Sequence, residues 1–332
     1  MAAYALGPDL KRALAHSARD LLIREVHRGL RARPRSLAPW MFYDARGSRI
    51  FECITQLQEY YPTRMERNIL TSFSDDIIAA ACCDRLKAMR LVELGAGTAS
   101  KTTLLLAAAA KLQSSVLYAP VDVSPDALEV AREKIATSFA QVCVSPIVAN
   151  YVTDPPQLES FDGVTLGLYI GSSIGNFEPE ERLIILRNLR SQLQAGDALL
   201  LGVDMVKDEG TLVAAYDDSD GVTAEFNLNI LTRLNRELGA NFIPANFRHR
   251  VVWSPERSRI EMHLESSCGQ WVRIPAAEVE VYFKKHETIH TENSYKFTRE
   301  TVRVLLGEAG FEVEHTWKDK LGWYSVTLAR IH

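Results

Sequence analysis

Glu93, Gly95, Gly97 and Lys101 fall within one short stretch, Leu91 to Thr102 (LVELGAGTASKT), and their order suits a cofactor that carries a nucleoside. An apolar run ends in an acid, turns through two glycines and enters a segment that can be helical. Glycine serves where the backbone takes positive φ, or where a side chain would block a ligand lying against the main chain. A second apolar run, Val116 to Val121, ends in Asp122, and a carboxylate at the tip of the next strand can accept both hydroxyls of a ribose. Strand, glycine turn, helix, strand and acid make a cofactor half-site. The plainer alternative is a turn that only closes a tight strand-helix connection, and Asp122 counts against it.

A dinucleotide fingerprint wants a third glycine where this chain has Ser100, so that helix and sheet pack closely around a pyrophosphate. Glu93 would also repel a pyrophosphate. The form ELGAGT instead resembles the first motif of class I S-adenosylmethionine methyltransferases, whose cofactor has no phosphate and carries a positive sulfonium. The resemblance implies S-adenosyl-L-methionine as cofactor, with Glu93, Gly95, Gly97 and Thr98 in the turn around it.

These residues need a scaffold, and short apolar strands alternate with helices along the middle of the chain. The strands are expected at Arg90 to Leu94, Val116 to Val121, Ser145 to Ala149, Val164 to Ile170 and Ala198 to Val203. Helices lie between them at Lys101 to Leu112, Pro125 to Phe139 and Pro179 to Leu193. Such alternation argues for a parallel sheet covered on both faces, binding ligands at the carboxyl ends of its strands. Before it, apolar positions from Pro8 to Leu30 recur at helical spacing, including Leu10, Leu14, Leu22 and Val26. Trp40 to Asn68 is rich in aromatics and short on regular period, and Pro62 opens a helix that runs on towards Leu70.

After Asp204 the rhythm breaks: Glu209 to Gly239 reads mainly as helix, followed by strand-like runs at His249 to Trp253, Ile260 to Glu265, Gln270 to Ile274 and Val279 to Phe283. The alternation resumes at Phe297 with a helix from Arg299 to Ala309. A closing pair follows, Phe311 to Trp317 and Trp323 to Arg330, which resembles the antiparallel hairpin ending the class I methyltransferase sheet. The fold expected is α/β, a Rossmann-like methyltransferase sheet domain with a second, α+β, substrate-binding lobe. Its divisions are 1–62 for an N-terminal arm of that lobe, 63–206 for the cofactor domain, 207–290 for the insertion and 291–332 for the return.

Composition narrows the setting of this chemistry. The 332 residues are 47% hydrophobic and 24% charged, as in an ordinary soluble protein with a real core. The formal net charge of -4 gives no electrostatic case for nucleic acid or anionic membrane as partner. Five cysteines, among them the adjacent Cys82 and Cys83, contain no C-x-x-C. Neither a disulfide framework nor a zinc site is suggested, and His263, His286 and His290 lack partners at ligand spacing. Acidic residues within the first apolar stretch argue against a targeting segment. A cytoplasmic, metal-free monomer acting on a small molecule is expected.

Several stretches together resemble the L-histidine Nα-methyltransferases of ergothioneine biosynthesis: FYDARGSRIFECITQLQEYYPTR, VELGAGTASKT, PVDVS, GSSIGN, LLLGVDMVKD, AYDDSDGVTAEFN, RIEMHLES and TENSYKF. They run from about Trp40 to the C-terminus. The resemblance implies a two-domain enzyme that moves three methyl groups to the α-amino nitrogen of histidine, giving hercynine. It carries cofactor contacts onto Gly95, Lys101 and Asp122, and it puts Asn150-Tyr151 where the family often has Asp-Phe against the adenine. It puts Tyr60 and Tyr216 on the substrate carboxylate, Asn176 on the α-amino group, and Glu292 with Ser294 on the imidazole. Tyr43, Phe51, Gly171, Thr223 and Met262 match neighbouring pocket positions, with Tyr43 and Asn176 closest to the reacting nitrogen.

Chemistry agrees with those roles, and each residue also has a plainer reading. A neutral amide such as Asn176 orients an amine without stabilising ammonium; it can equally be a helix cap or turn former before Pro179. Two tyrosines can fix a carboxylate, or simply pack, and Tyr43 and Phe51 can hold a quaternary nitrogen on their faces. Glu292 and Ser294 share a face if TENSYKF is extended and can then meet both ring nitrogens; the alternative is a solvated edge strand. Rival functions are a sister enzyme acting on tryptophan or tyrosine, a non-catalytic S-adenosylmethionine-binding protein, and a nicotinamide oxidoreductase.

Overall fold

The computed structural model describes residues 8–82, 88–152 and 156–331, with side chains from residue 19 onward. Cys83 and the side chains of Leu10 and Leu14 lie outside the described residues. In chain order the elements are α1 (Pro8–Arg31), β1 (Arg35–Ser36), α2 (Ala45–Ile54), α3 (Tyr61–Ala81), β2 (Ala88–Leu94), α4 (Thr102–Leu112), β3 (Val116–Asp122) and α5 (Pro125–Ser138). Next come β4 (Val142–Val144), β5 (Ile147–Val148), β6 (Gly163–Tyr169), α6 (Pro179–Arg190), β7 (Ala198–Asp204), α7 (Glu209–Ala214) and α8 (Val222–Leu238). The last are β8 (Phe247–Ser254), β9 (Arg259–Ser266), β10 (Gln270–Ile274), β11 (Val279–Phe283), β12 (Thr288–Tyr295), α9 (Arg299–Glu308), β13 (Glu312–Lys318) and β14 (Tyr324–Arg330).

The chain divides into two units, one made of Met1–Tyr60 and Asp208–Asn293, the other of Tyr61–Lys207 and Ser294–His332. The second unit holds an eight-stranded sheet in the order β13-β14-β7-β6-β2-β3-β4, with β5 also on β3. Strands β2, β3, β6 and β7 run parallel, whereas β14 is antiparallel to both β7 and β13. Successive strand residues face opposite sides. Leu91, Leu166, Leu168 and Leu200 therefore pack with α3, α4 and α5 on one face, while Val92, Tyr169, Leu199 and Leu201 pack with α6 and α9 on the other. Each such side chain contributes about 1.5–3 kcal/mol when fully buried, and this double cover is why these strands read as unbroken apolar runs.

The first unit has a four-stranded sheet, β1-β12-β9-β8, and the hairpin β10-β11. Helix α8 lays Phe226, Ile230, Leu231 and Leu234 inward, and α1 buries Leu22, Val26 and Leu30. No helix among the described residues is long and apolar enough to cross a membrane.

Three local expectations are corrected. The strand expected at Ser145 to Ala149 is instead β4, paired with Val116–Tyr118, and the two-residue β5; Pro146 between them has no N–H to give the ladder. The irregular segment after Trp40 contains α2, started by the Asp44 carboxylate accepting from Gly47 N at 2.7 Å. Its Gly47 and Ser48 conceal the helical period. The helical stretch after Glu209 is broken between α7 and α8, where Asp218 accepts from Val222 N and Thr223 N at 2.8 and 2.7 Å and so opens α8.

Candidate active site

In the second unit β2 delivers the chain into the glycine turn. Gly95 and Gly97 have φ of +69° and +50°, the left-handed region that favours glycine. Gly95 N donates to Val121 O at 2.8 Å, which ties the turn to β3. Gly97 N donates to Asp122 Oδ2 at 2.9 Å, and Ser124 N to Oδ1 at 3.0 Å. The half-exposed carboxylate keeps spare lone pairs beyond these. A Cβ at Gly95 would lie 3.2 Å from the Tyr151 hydroxyl, whereas one at Gly97 would meet nothing within 4 Å. Thr98 is half-buried beside them. Tyr151 is braced edge-on by Tyr169 at 5.8 Å, and burial pushes its phenol up to about 12. The Asn150 side-chain oxygen Oδ1 accepts from Val152 N at 3.2 Å, closing its own turn. An open glycine backbone, an acid at the strand tip and an aromatic ring fit a nucleoside without phosphate.

Glu93 stands differently from the picture of a bare anion beside a cation. It is buried, accepts from Thr102 Oγ1 at 2.7 Å with either oxygen and also accepts from the Tyr118 hydroxyl. Burial raises its carboxyl to about 7, so its negative charge is only partial at neutral pH. Lys101 is held by Glu66, with which it forms an ion pair. Glu66, fully buried on α3, also accepts from Gly171 N and from the Tyr324 hydroxyl, both at 2.7 Å. Sequence reasoning missed Glu66. Its signal was an acid on the buried stripe of α3, in line with Pro62, Ile69, Leu70 and Ile77.

Loop GSSIGN follows β6. Gly171 has φ +87°, and a Cβ there would sit 3.0 Å from Lys101 Nζ. Ser172 Oγ accepts from Asp204 N at 2.9 Å. A Cβ at Gly175 would fall 2.9 Å from Tyr295 O, so the loop lies tight against the strand end. Asn176 ends a short 3-10 turn and is half-buried; among the described residues its amide has no hydrogen-bond partner. The cap of α6 is Glu178, in a capping box with Glu181, so Asn176 is not a helix cap. Ser294, also in this unit, accepts from Lys296 Nζ at 2.8 Å.

The first unit gathers the aromatic candidates. Tyr43 meets Phe51 and Phe226 edge-on, both at 5.6 Å. Tyr60 meets Phe51 at 6.1 Å and Tyr216 at 6.2 Å. Tyr43 is 42% exposed while Tyr216 is buried, so the cluster runs from an accessible ring inward. His249 Nε2 lies 2.8 Å from Tyr216 O and its Nδ1 2.8 Å from the Asn227 amide. Burial lowers its pKa, which makes a neutral imidazole the brace of the Tyr216 backbone, a second residue that sequence reasoning missed. Thr223 is buried at the start of α8, and Met262 is buried on β9, where its carbonyl accepts from Thr291 Oγ1 at 3.0 Å. Glu292 is buried on β12. Ser294 on the same strand is buried too, so the solvated alternative for Glu292 and Ser294 is excluded.

The sheet order β4-β3-β2-β6-β7-β14-β13 with β14 antiparallel to β7, joined to a glycine turn and a strand-tip acid, defines a class I S-adenosylmethionine-dependent methyltransferase. Sequence comparison goes further. The model of the histidine-specific, S-adenosylmethionine-dependent methyltransferases matches residues 22–331, and the chain belongs to that family. It is 42% identical over 315 residues to a histidine N-alpha-methyltransferase of Mycolicibacterium smegmatis, covering 95% of this chain and 96% of that one. Identity to a histidine N-alpha-methyltransferase of Mycobacterium tuberculosis is 40% over 311 residues, covering 93% and 94%. An ergothioneine biosynthesis protein 1 of Neurospora crassa is 28% identical over 301 residues, which is 86% of this chain and 32% of that longer one.

Proposed function

We propose that this enzyme transfers three methyl groups in succession from S-adenosyl-L-methionine to the α-amino nitrogen of L-histidine, forming hercynine, a step of ergothioneine biosynthesis. The observation that carries the reading is the 42% identity to a histidine N-alpha-methyltransferase across almost the whole of both chains. It is supported by the uncommitted Asn176 amide and by the burial of Glu292 on β12.

In this reading Gly95 and Gly97 leave room for the donor, Asp122 accepts its ribose hydroxyls, and Asn150 with Tyr151 meets its adenine. Lys101, steadied by Glu66, faces its methionyl carboxylate. The bound donor supplies an electrophilic methyl group on a sulfonium. Tyr60 and Tyr216 hold the histidine carboxylate, and Glu292 and Ser294 hold its ring. Gly171, Thr223 and Met262 complete the surroundings. The Asn176 carbonyl takes hydrogen bonds from the amine without the full charge that would stabilise ammonium. Attack is in line, so most of the acceleration comes from positioning. With each methyl added the nitrogen loses a donor, and the faces of Tyr43 and Phe51 hold the resulting cation.

Mass spectrometry of the twenty amino acids, each incubated with the protein and S-adenosylmethionine, tests this. Histidine alone should gain three methyl groups. Methylation of another amino acid in its place refutes the assignment of Glu292 and Ser294; no methylation of any refutes the proposed function.

A further inference from the structure

Asp204 ends β7 almost wholly buried, and its carboxylate meets two lysines and a phenol. Lys296 Nζ lies at 2.8 Å, Lys207 Nζ at 2.6 Å, and the Tyr61 hydroxyl at 2.8 Å. Lys296 is itself fully buried, and the ammonium that pairs with Asp204 also donates to Ser294 Oγ. The Asp204 N–H meanwhile holds Ser172 in the GSSIGN loop. Asp204 thus ties the Asn176 loop, through its N–H, to the strand end that carries Ser294, through its carboxylate, all within the second unit.

An ammonium has hydrogens and no lone pair. Ser294 can only accept from Lys296, so its own hydroxyl proton points elsewhere. We infer that Lys296, anchored by Asp204, fixes Ser294 as a hydrogen-bond donor to the imidazole of the substrate, so that the enzyme takes histidine with a neutral ring and refuses imidazolium. The inference rests on the proposed function, which assigns Ser294 and Glu292 to that ring. A ring nitrogen that accepts from a hydroxyl must hold a lone pair, and imidazolium has none. Glu292 alone would act the other way, because a carboxylate beside an imidazole favours the protonated form. Lys296 sets a buried positive charge one hydroxyl away from the same ring and opposes it.

The other charged and titratable groups around Lys296 are consistent with this. Asp204 and Lys207 approach from the end of β7 and Tyr61 from α3, and Asp319 acts on Lys207. Burial lowers Lys207 to about 8. Lys296 is a positioning residue: it acts on the ring through Ser294.

The test compares histidine with its triazole analogue, whose ring stays neutral, by the ratio of their kcat/KM values across about pH 5.5 to 8. Ionisation of the enzyme cancels in this ratio. With the wild-type protein the histidine-to-triazole ratio should fall about tenfold per pH unit below the ring pKa near 6.5. Lys296→Met and Ser294→Ala should each flatten that fall and raise the KM for histidine more than they lower kcat, while binding of S-adenosylhomocysteine is retained. A flat wild-type ratio overturns the inference, as does a Lys296→Met protein that keeps the wild-type fall. If Lys296→Met does not fold, Ser294→Ala decides: an unchanged fall overturns the inference, a flattened one upholds the Ser294 donor. Failure of the proposed function looks different, because the wild-type protein then methylates neither compound.

Discussion

Glu93 shows how burial converts a charged residue into a pH-dependent element of stability. Its carboxyl is raised from an ordinary 4.5 to about 7 in the folded chain, so the folded state holds this proton more tightly than the unfolded one. Stability from this group is therefore greatest at low pH and is lost as pH rises from about 4.5 through 7, by on the order of 3 kcal/mol. Glu93→Gln keeps an oxygen for Thr102 and Tyr118 and removes the titration. Thermal melts should show the variant gaining on the wild type between about pH 5 and pH 8; a constant difference would mean that Glu93 ionises normally. At this scale the sequence was informative wherever a residue's own chemistry dictates its place. Gly95 and Gly97 are readable because the turn needs positive φ, and Asp122 because it ends a strand. Glu66 and His249 were not, since what defines them is partners such as Tyr324, 258 residues from Glu66, and Tyr216.

The GSSIGN loop is an element shaped by what passes beside it. Adding a methyl at Gly175 presses on the Tyr295 carbonyl, and backbone yields poorly. Gly175→Ala should cost about 1–3 kcal/mol, read by urea unfolding, and should lower kcat by displacing Asn176. Gly196→Ala is the contrast. Its φ is +91° with nothing within 4 Å, so it should cost about 1–2 kcal/mol through the backbone alone and spare kcat. Equal effects on turnover would deny the loop its role. Elements with a continuous apolar run, such as β2, β3, β6 and β7, were legible because both faces of the sheet are covered. Element α2 was hidden by Gly47, and β4 by its three-residue length.

On the scale of the whole molecule, the alternation of strand and helix revealed the sheet because a parallel sheet requires crossover helices. How the segments interleave is less visible, since a break in rhythm does not say which piece pairs with which. Hydrogen exchange can map the donor onto this architecture: S-adenosylhomocysteine should slow exchange across residues 93–101, 118–122 and 148–152 and leave the hairpin β10-β11 unchanged. Protection confined to the first unit would refute the cofactor assignment.

The interleaving also sets an order of events on the ribosome. Arg35 pairs with Glu287, 252 residues later, which at roughly 5–20 residues per second is a wait of about ten to fifty seconds. Strand β14 lies between β7 and β13, so until Tyr324 to Arg330 emerge, the seven buried residues of β7 form an open apolar edge able to recruit another chain. A chain truncated before β14 should therefore aggregate where the full chain does not, as read by light scattering on refolding.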